Sequence, residues 1–338
     1  MPFRLLDAAS PAETDQAERF LALVAEPLAA TDRLFRERLA SDVPFIHHCG
    51  EYIFDGGGKR MRPVLLLLCA RLLEREGDEE VTYAAVVELI HTATLIHDDI
   101  IDHAELRRGR RTINELWGNN RTVLLGDWLY TSAMKMALSH GSVEVIDRLC
   151  EATLRMTEGE LLTQQRLGAI DLTVDEYFEI VDRKTAQLFA AACSVPARRR
   201  PVRLDAIAPL ERYGRALGVC FQLADDLLDF TASAASVGKP VLSDLKEGKL
   251  TLPLLLALPR LTPSERRKVE TVLGDRSFER VAASEILELV RREGTLQEVE
   301  QRARALADEA RVALALFPDS EARSALEFAP DFVLHRRS

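Results

Sequence analysis

Apolar residues recur at helical spacing along almost the whole chain, and β-branched runs with period-two alternation are absent. Pro11 opens a predicted helix through the Glu13–Leu39 region. The turn Gly56-Gly57-Gly58 precedes Lys59 to Arg62, after which Pro63–Leu73 reads as an apolar helix. Helices are further predicted over Thr82–Asp102, Thr122–Leu138, Glu144–Thr163, Val174–Cys193 and Leu204–Phe230. Pro196–Pro201, holding Arg198-Arg199-Arg200, reads as a basic loop, and Ser236–Leu250 as a Gly- and Lys-rich loop. Beyond it, short helices alternate with breaks at Pro263, Gly274 and Gly294. No repeat of solenoid length is present, and no Pro/Gly/Ser-rich linker divides the chain. The expectation is one all-α domain over residues 1–338, with a ligand cavity between helices.

Two acidic runs interrupt this apolar pattern. Asp98-Asp99-Ile100-Ile101-Asp102 and Asp225-Asp226-Leu227-Leu228-Asp229 are both DDxxD, each at the end of an apolar stretch (Ala84–Ile101 and Leu217–Phe230). On a helix, residues i and i+4 share a face roughly 6 Å apart, so Asp98 pairs with Asp102 and Asp225 with Asp229. Carboxylates among apolar residues are costly unless paired or bound to a cation. A single DDxxD is more often a solvated helix face or end; two embedded copies point to metal. Hard oxygen donors suit Mg²⁺, which also takes substrate phosphates as ligands.

Composition narrows the reading. Of 338 residues 47% are hydrophobic, and the formal net charge of −10 argues against a nucleic-acid partner. A phosphate site therefore needs a local basic cluster. Cys49, Cys69, Cys150, Cys193 and Cys220 lie scattered without CxxC spacing, as expected of reduced thiols in the cytoplasm. The N-terminal residues carry no basic stretch followed by an apolar run, so no signal peptide is expected. Apolar runs such as Val64–Ala70 are too short to span a bilayer, and a soluble protein is expected.

Cations occur in three places. Lys59 and Arg62 follow three glycines, which let a backbone approach an anion, although the P-loop spacing is missing. Arg107-Arg108-Gly109-Arg110-Arg111 follows the first acidic run; alone, a solvated charge run explains it equally well. Lys184-Thr185, Lys239 and Lys249 are spread through the second half, each weak by itself. His91 lies seven residues before Asp98, two turns back on the same face, where a phosphate or metal neighbour competes with an ordinary buried histidine. No Ser/His/Asp or Cys/His arrangement is evident.

The runs GGGKRMRP, HTATLIHDDIID with LRRG, and FQLADDLLDF with GKP and DLKEGKLTLP resemble the trans-isoprenyl diphosphate synthases (polyprenyl synthetase family), in the family's order from about Asp55 to Pro253. The resemblance implies an isoprenoid-synthase helical bundle around a central cavity, usually a homodimer. It implies Mg²⁺ on Asp98, Asp102, Asp225 and Asp229, with Asp99 and Asp226 assisting. It also implies an allylic diphosphate on Arg107, Lys184, Thr185, Gln222 and Lys239, and isopentenyl diphosphate on Lys59, Arg62, His91 and Arg108. The lysine Lys184 and the aspartates Asp98, Asp99, Asp102, Asp225 and Asp226 would then carry catalysis. A transient membrane contact would release a greasy product.

In this family, bulky side chains four or five residues before the first acidic run stop chain growth. Ala93 and Thr94 stand there and are small, so the stretch looks like an octaprenyl-type synthase making a C30–C50 quinone side chain from farnesyl or geranylgeranyl diphosphate. The alternatives are a geranylgeranyl diphosphate synthase, a cyclising or head-to-head enzyme, a non-catalytic subunit of a heteromeric synthase, and a purely structural helical protein. The intact second acidic run weighs against the last three. The chain departs from the pattern at Leu242, where glycine is usual, at Thr163, where glutamine is usual, and in the basic segment Ser194–Arg203.

Overall fold

The computed structural model describes residues 11–231 and 241–335, and these are helical almost throughout. In order come α1 (Pro11–Ala22), α2 (Ala25–Leu39), α3 (Pro44–Asp55), α4 (Met61–Leu72) and α5 (Asp78–Ile101). A hairpin of β1 (Leu106–Arg107) and β2 (Arg110–Arg111) follows, then α6 (Ile113–Trp117), α7 (Asn119–Leu138), α8 (Val143–Gln165) and α9 (Val174–Val181). A single π-turn, Asp182–Ala186, leads into α10 (Gln187–Arg198) and α11 (Leu204–Thr231). The rest comprises the helices Ser243–Lys246, Leu252–Ala257, Pro263–Asp275, Ala283–Arg292, Thr295–Ala313 and Glu321–His335.

Two helices apolar on all sides form the centre, as the hydrophobic effect requires of such sequences. Every residue of α4 from Met61 to Ala70 is buried, and so is every residue of α10 from Leu188 to Ala197. Around them α5 packs along α7 and α4, while α11 packs along α10 and the Thr295–Ala313 helix. The two helices carrying the acidic runs therefore stand on either side of this apolar centre, the first run in the last turn of α5 and the second in the last two turns of α11.

The predicted helices are present, with four differences. The first is two helices, α1 and α2, with a break before Ala25. The C-terminal part contains a helix of 19 residues rather than only short ones. The hairpin was not foreseen: its turn residues Arg108 and Gly109 both have positive φ (53° and 74°), as a two-residue hairpin turn demands. Val174–Cys193 is not one helix but α9, the π-turn and α10.

Glycines on the flanking helices make room for the π-turn. A Cβ at Gly159 on α8 would lie 2.6 Å from the Lys184 amide nitrogen, and one at Gly218 on α11 would lie 2.7 Å from Ala186 Cα. The basic loop is partly helical, since α10 runs through Pro196 to Arg198. Its cations are spent inside the protein: Arg198 pairs with Glu211 (2.8 Å), Arg199 with Glu79 (3.1 Å) and Glu80, and Arg200 with Glu144 (3.3 Å). It is a strap across helix ends.

Substituting Gly218→Ala is expected to cost about 1–3 kcal/mol of stability, because the added methyl meets backbone rather than a flexible side chain. Urea unfolding reads this directly; an unchanged midpoint would mean that α11 yields without cost.

Candidate active site

Asp98 and Asp102 share one face at the end of α5, each beside a lysine brought from elsewhere. Lys184 Nζ, from the π-turn, lies 3.9 Å from Asp98 and also pairs with Glu160 of α8. Lys249 Nζ donates to Asp102 at 3.0 Å and to Glu247 at 2.8 Å. Burial pushes the Asp98 carboxyl up to about 6, with Lys184 pulling it back and Glu160 and Asp102 adding to the rise. Burial opposes the charge on Lys249, yet Glu247 and Asp102 hold it above the ordinary lysine range. Asp99, one position on, is buried and accepts from Arg107 Nε at 2.6 Å.

The second run is anchored differently. Asp226 is only 1% exposed; it accepts from Tyr177 Oη at 2.5 Å and Gln222 Nε2 at 3.0 Å. Gln222 in turn accepts from Thr185 Oγ1 at 3.0 Å, so the π-turn and α11 are joined side chain to side chain. Burial raises the Asp226 carboxyl to about 7 against the pull of those two donors. Asp229 accepts from Ser243 N (2.9 Å), Ser243 Oγ (2.8 Å) and Asp244 N (3.3 Å), which ties α11 to the start of the Ser243–Lys246 helix. That leaves roughly one of its four lone-pair sites open. Asp225 is half-buried and within electrostatic reach of Arg62.

Leu242 adopts the left-handed conformation (φ 58°) that glycine adopts freely. Its side chain is fully buried, and its amide donates to the Asp229 carbonyl at 2.9 Å. The loop after the second run is thus anchored on both backbone and side chain. Thr163, the other departure, turns its hydroxyl back to the Gly159 carbonyl and lines a cavity of about 170 Å³ with Lys184, Thr185, Gln222 and Lys249.

The basic side is built from α4, α5 and the hairpin. Arg62 is buried with its guanidinium 4.4 Å above the Phe189 ring, and its Nε has no hydrogen-bond partner. Burial pulls its pKa down to about 10, with Glu88 and Asp225 pulling the other way. His91 is held well below the usual histidine range by burial and by the nearby guanidinium groups of Arg62, Arg108, Arg107 and Arg60, so its ring is neutral at pH 7. Arg108 donates from Nη1 to the Gly57 carbonyl, and Lys59 lies half-buried in the same loop. Arg60 is structural, bonded to Asp32 (3.0 Å) and Glu88 (2.6 Å). Ala93 is buried in α5, and Thr94 donates to the His91 carbonyl at 2.8 Å.

The structure brings Lys184 to Asp98, Arg107 to Asp99, Thr185 to Gln222, and Arg62 within electrostatic reach of Asp225 and His91, while Lys239 lies outside the described residues. Sequence reasoning missed Glu160, Tyr177, Glu88 and Asp244, whose partners lie on other elements. Lys249, weak as a lone lysine, proves to face the first acidic run. Among the described residues no three carboxylate, imidazole or thiol groups converge into a ready-made metal cage. The donors are hard carboxylate oxygens in i, i+4 pairs on α5 and α11, which fits an ion that completes its shell with substrate phosphates and water.

Above pH 6 or so Asp98 is ionised and able to bind a cation; as pH falls through about 6 it takes up a proton. Mn²⁺ affinity measured by electron paramagnetic resonance should therefore weaken over that interval, and Asp98→Asn should remove the dependence. A pH-independent affinity would take Asp98 out of the metal site.

Residues 43–290 match the family model described as polyprenyl synthetase. The octaprenyl diphosphate synthase of Escherichia coli (strain K12) is 40% identical over 91% of this chain and 95% of its own. A polyprenyl synthase structure from Caulobacter crescentus CB15, complexed with calcium and isoprenyl diphosphate, superposes with a TM-score of 0.90 at 38% identity, covering 95% of this chain and 98% of that one. A decaprenyl diphosphate synthase structure from Rhodobacter capsulatus gives 0.89 at 36%, covering 94% and 98%. With such likeness along nearly its whole length, and both acidic runs and the basic loops in place, the chain belongs to the polyprenyl synthetase family.

Proposed function

We propose that this prenyltransferase adds isopentenyl diphosphate repeatedly, head to tail, to an allylic diphosphate such as farnesyl or geranylgeranyl diphosphate, building a C30–C50 chain for a quinone side group. The observation that carries this reading is the pair of DDxxD runs toward the C-terminal ends of α5 and α11, with Lys184, Lys249 and Arg107 at the first and Arg62 within electrostatic reach of the second. Asp98, Asp102, Asp225 and Asp229 would hold Mg²⁺. When bound, Mg²⁺ neutralises charge building on the departing diphosphate. Lys184, Arg107, Thr185, Gln222 and Lys239 contact the allylic diphosphate in this reading, and Lys59, Arg62, His91 and Arg108 hold isopentenyl diphosphate. Fixed cations at the leaving group favour ionisation of the allylic C–O bond. The double bond of isopentenyl diphosphate attacks the cation, and a proton leaves to the released diphosphate. A neutral His91 serves here as a hydrogen-bonding group that adds no further positive charge to the arginine cluster.

Ala93 and Thr94 leave the path of the growing chain open at the level of α5. Helices α7 and α8 expose Leu124, Leu138, Leu154 and Leu161, apolar surface that a second copy of the chain would cover, which supports a homodimer. No helix among the described residues is long and apolar enough to cross a membrane. Five cysteines that form no disulfide support a cytoplasmic location, with a transient membrane contact as product leaves.

Incubation with farnesyl diphosphate, isopentenyl diphosphate and Mg²⁺ should give products of C30 or longer by mass spectrometry; a stop at C20 would overturn the chain-length reading. Ala93→Phe is expected to shorten the products, and an unchanged distribution would place the stop elsewhere. Asp98→Ala and Asp225→Ala should each lower kcat by about 10²-fold or more with the fold intact; near-normal rates in both would refute the metal assignment.

A further inference from the structure

The hairpin that delivers Arg107 and Arg108 is too small to hold its own direction. Its strands are two residues each, and isolated two-stranded hairpins are marginal even when longer. Something outside it must fix where the two guanidinium groups point. On its working side Arg107 is bonded to Asp99 at 2.6 Å and Arg108 to the Gly57 carbonyl, contacts that an incoming anion would compete for.

Arg111 also pairs with Glu115 of α6 (3.2 Å), and the other contacts of β2 converge on one residue of α3. Tyr52 Oη donates to the Arg111 carbonyl at 2.7 Å. The guanidinium of Arg110 lies 4.1 Å above the Tyr52 ring, and its Nη1 donates to the Tyr52 carbonyl at 3.3 Å. Both residues of β2 are thus held by one tyrosine, separately from the Arg107–Asp99 and Arg108–Gly57 contacts. The tyrosine ring is itself fixed edge-on against Trp117 (5.5 Å, 85°), which also meets Phe45 and His48 edge-on. Tyr52 stands four residues before Gly56, so α3 runs directly into the loop bearing Lys59.

We propose that Tyr52 is a positioning residue for diphosphate binding, clamping β2 so that Arg107, Arg108 and the Gly56–Lys59 loop keep one arrangement. The proposal rests on the reading of Arg107 and Arg108 as diphosphate contacts. Each clamp contact belongs to a class of modest strength, a cation–π pair and a neutral hydrogen bond, so their joint loss is expected to change binding by about tenfold.

The test uses the full-length enzyme. Tyr52→Ala removes both contacts, Tyr52→Phe keeps the ring and removes the hydroxyl, and Arg110→Gln opens the clamp from the hairpin side. Steady-state KM for isopentenyl diphosphate and for farnesyl diphosphate, kcat, thermal midpoint and hydrogen exchange of amides 106–111 are measured for each. Expected are a KM raised about tenfold in Tyr52→Ala and Arg110→Gln, about threefold in Tyr52→Phe, and faster exchange in the hairpin, all with little change in midpoint. Phe45→Leu, which removes another neighbour of Trp117, should leave KM unchanged. Wild-type KM in Tyr52→Ala and Arg110→Gln, while Arg108→Ala raises it, would overturn the clamp. Wild-type KM in Arg107→Ala and Arg108→Ala as well would instead overturn the reading of the hairpin as a diphosphate contact, and the proposal with it. If Tyr52→Ala does not fold, Tyr52→Phe and Arg110→Gln decide the matter.

Discussion

The site is governed by negative charge placed where a helix least favours it. The first acidic run occupies the last turn of α5, at the negative end of the helix dipole, while Asp225 and Asp226 stand more than a turn before Thr231 on α11; both runs are surrounded by apolar side chains. Burial is the main cause that lifts the Asp98 carboxyl to about 6 and the Asp226 carboxyl to about 7. Such groups persist only if donors and cations reach them from elsewhere. Irregular segments supply several of these: the hairpin gives Arg107, the π-turn gives Lys184, and the turn at Leu242 gives the amides of Ser243 and Asp244, whereas Asp226 is met by Tyr177 of α9 and Gln222 of α11. Irregular backbone here adds donors that the helices carrying the acidic runs do not bring by themselves.

Periodicity made the helices legible, and i, i+4 spacing placed the four flanking aspartates on two faces. The hairpin escaped because strands of two residues carry no alternation to read. The π-turn escaped because its cause is not local: Gly159 and Gly218 sit on other helices, and each looks unremarkable in its own sequence. Cations were legible as clusters but not by destination. Arg198, Arg199 and Arg200 look as suitable for a phosphate as Arg107 and Arg108, and only the fold shows that Glu211, Glu79, Glu80 and Glu144 take them up.

Leu242 shows how a departure from a glycine position can be absorbed. A left-handed backbone costs a leucine roughly 1–2 kcal/mol. Full burial of its side chain returns about 1.5–3 kcal/mol. The exchange is favourable or neutral, and the amide bond to the Asp229 carbonyl is kept. The conformation that the glycine would allow is therefore retained by packing instead of by freedom from a Cβ.

The two DDxxD runs share an internal division of labour that follows from helix geometry. The second aspartate of each lies about 100° around the helix from the first, off the face that positions one and five share. In both runs that residue is the most buried and is bonded inward, Asp99 to Arg107 and Asp226 to Tyr177 and Gln222. The flanking aspartates are less buried: Asp98 and Asp102 face the lysine ammonium groups of Lys184 and Lys249, while Asp229 keeps one side open beside the donors of Ser243 and Asp244. The second acidic residue of each run thus serves to tie its helix to a neighbouring element. Without that anchor the end of α5, whose last carbonyls lack intrahelical partners, would be free to fray and would hold Asp98 and Asp102 too loosely for the ion proposed there.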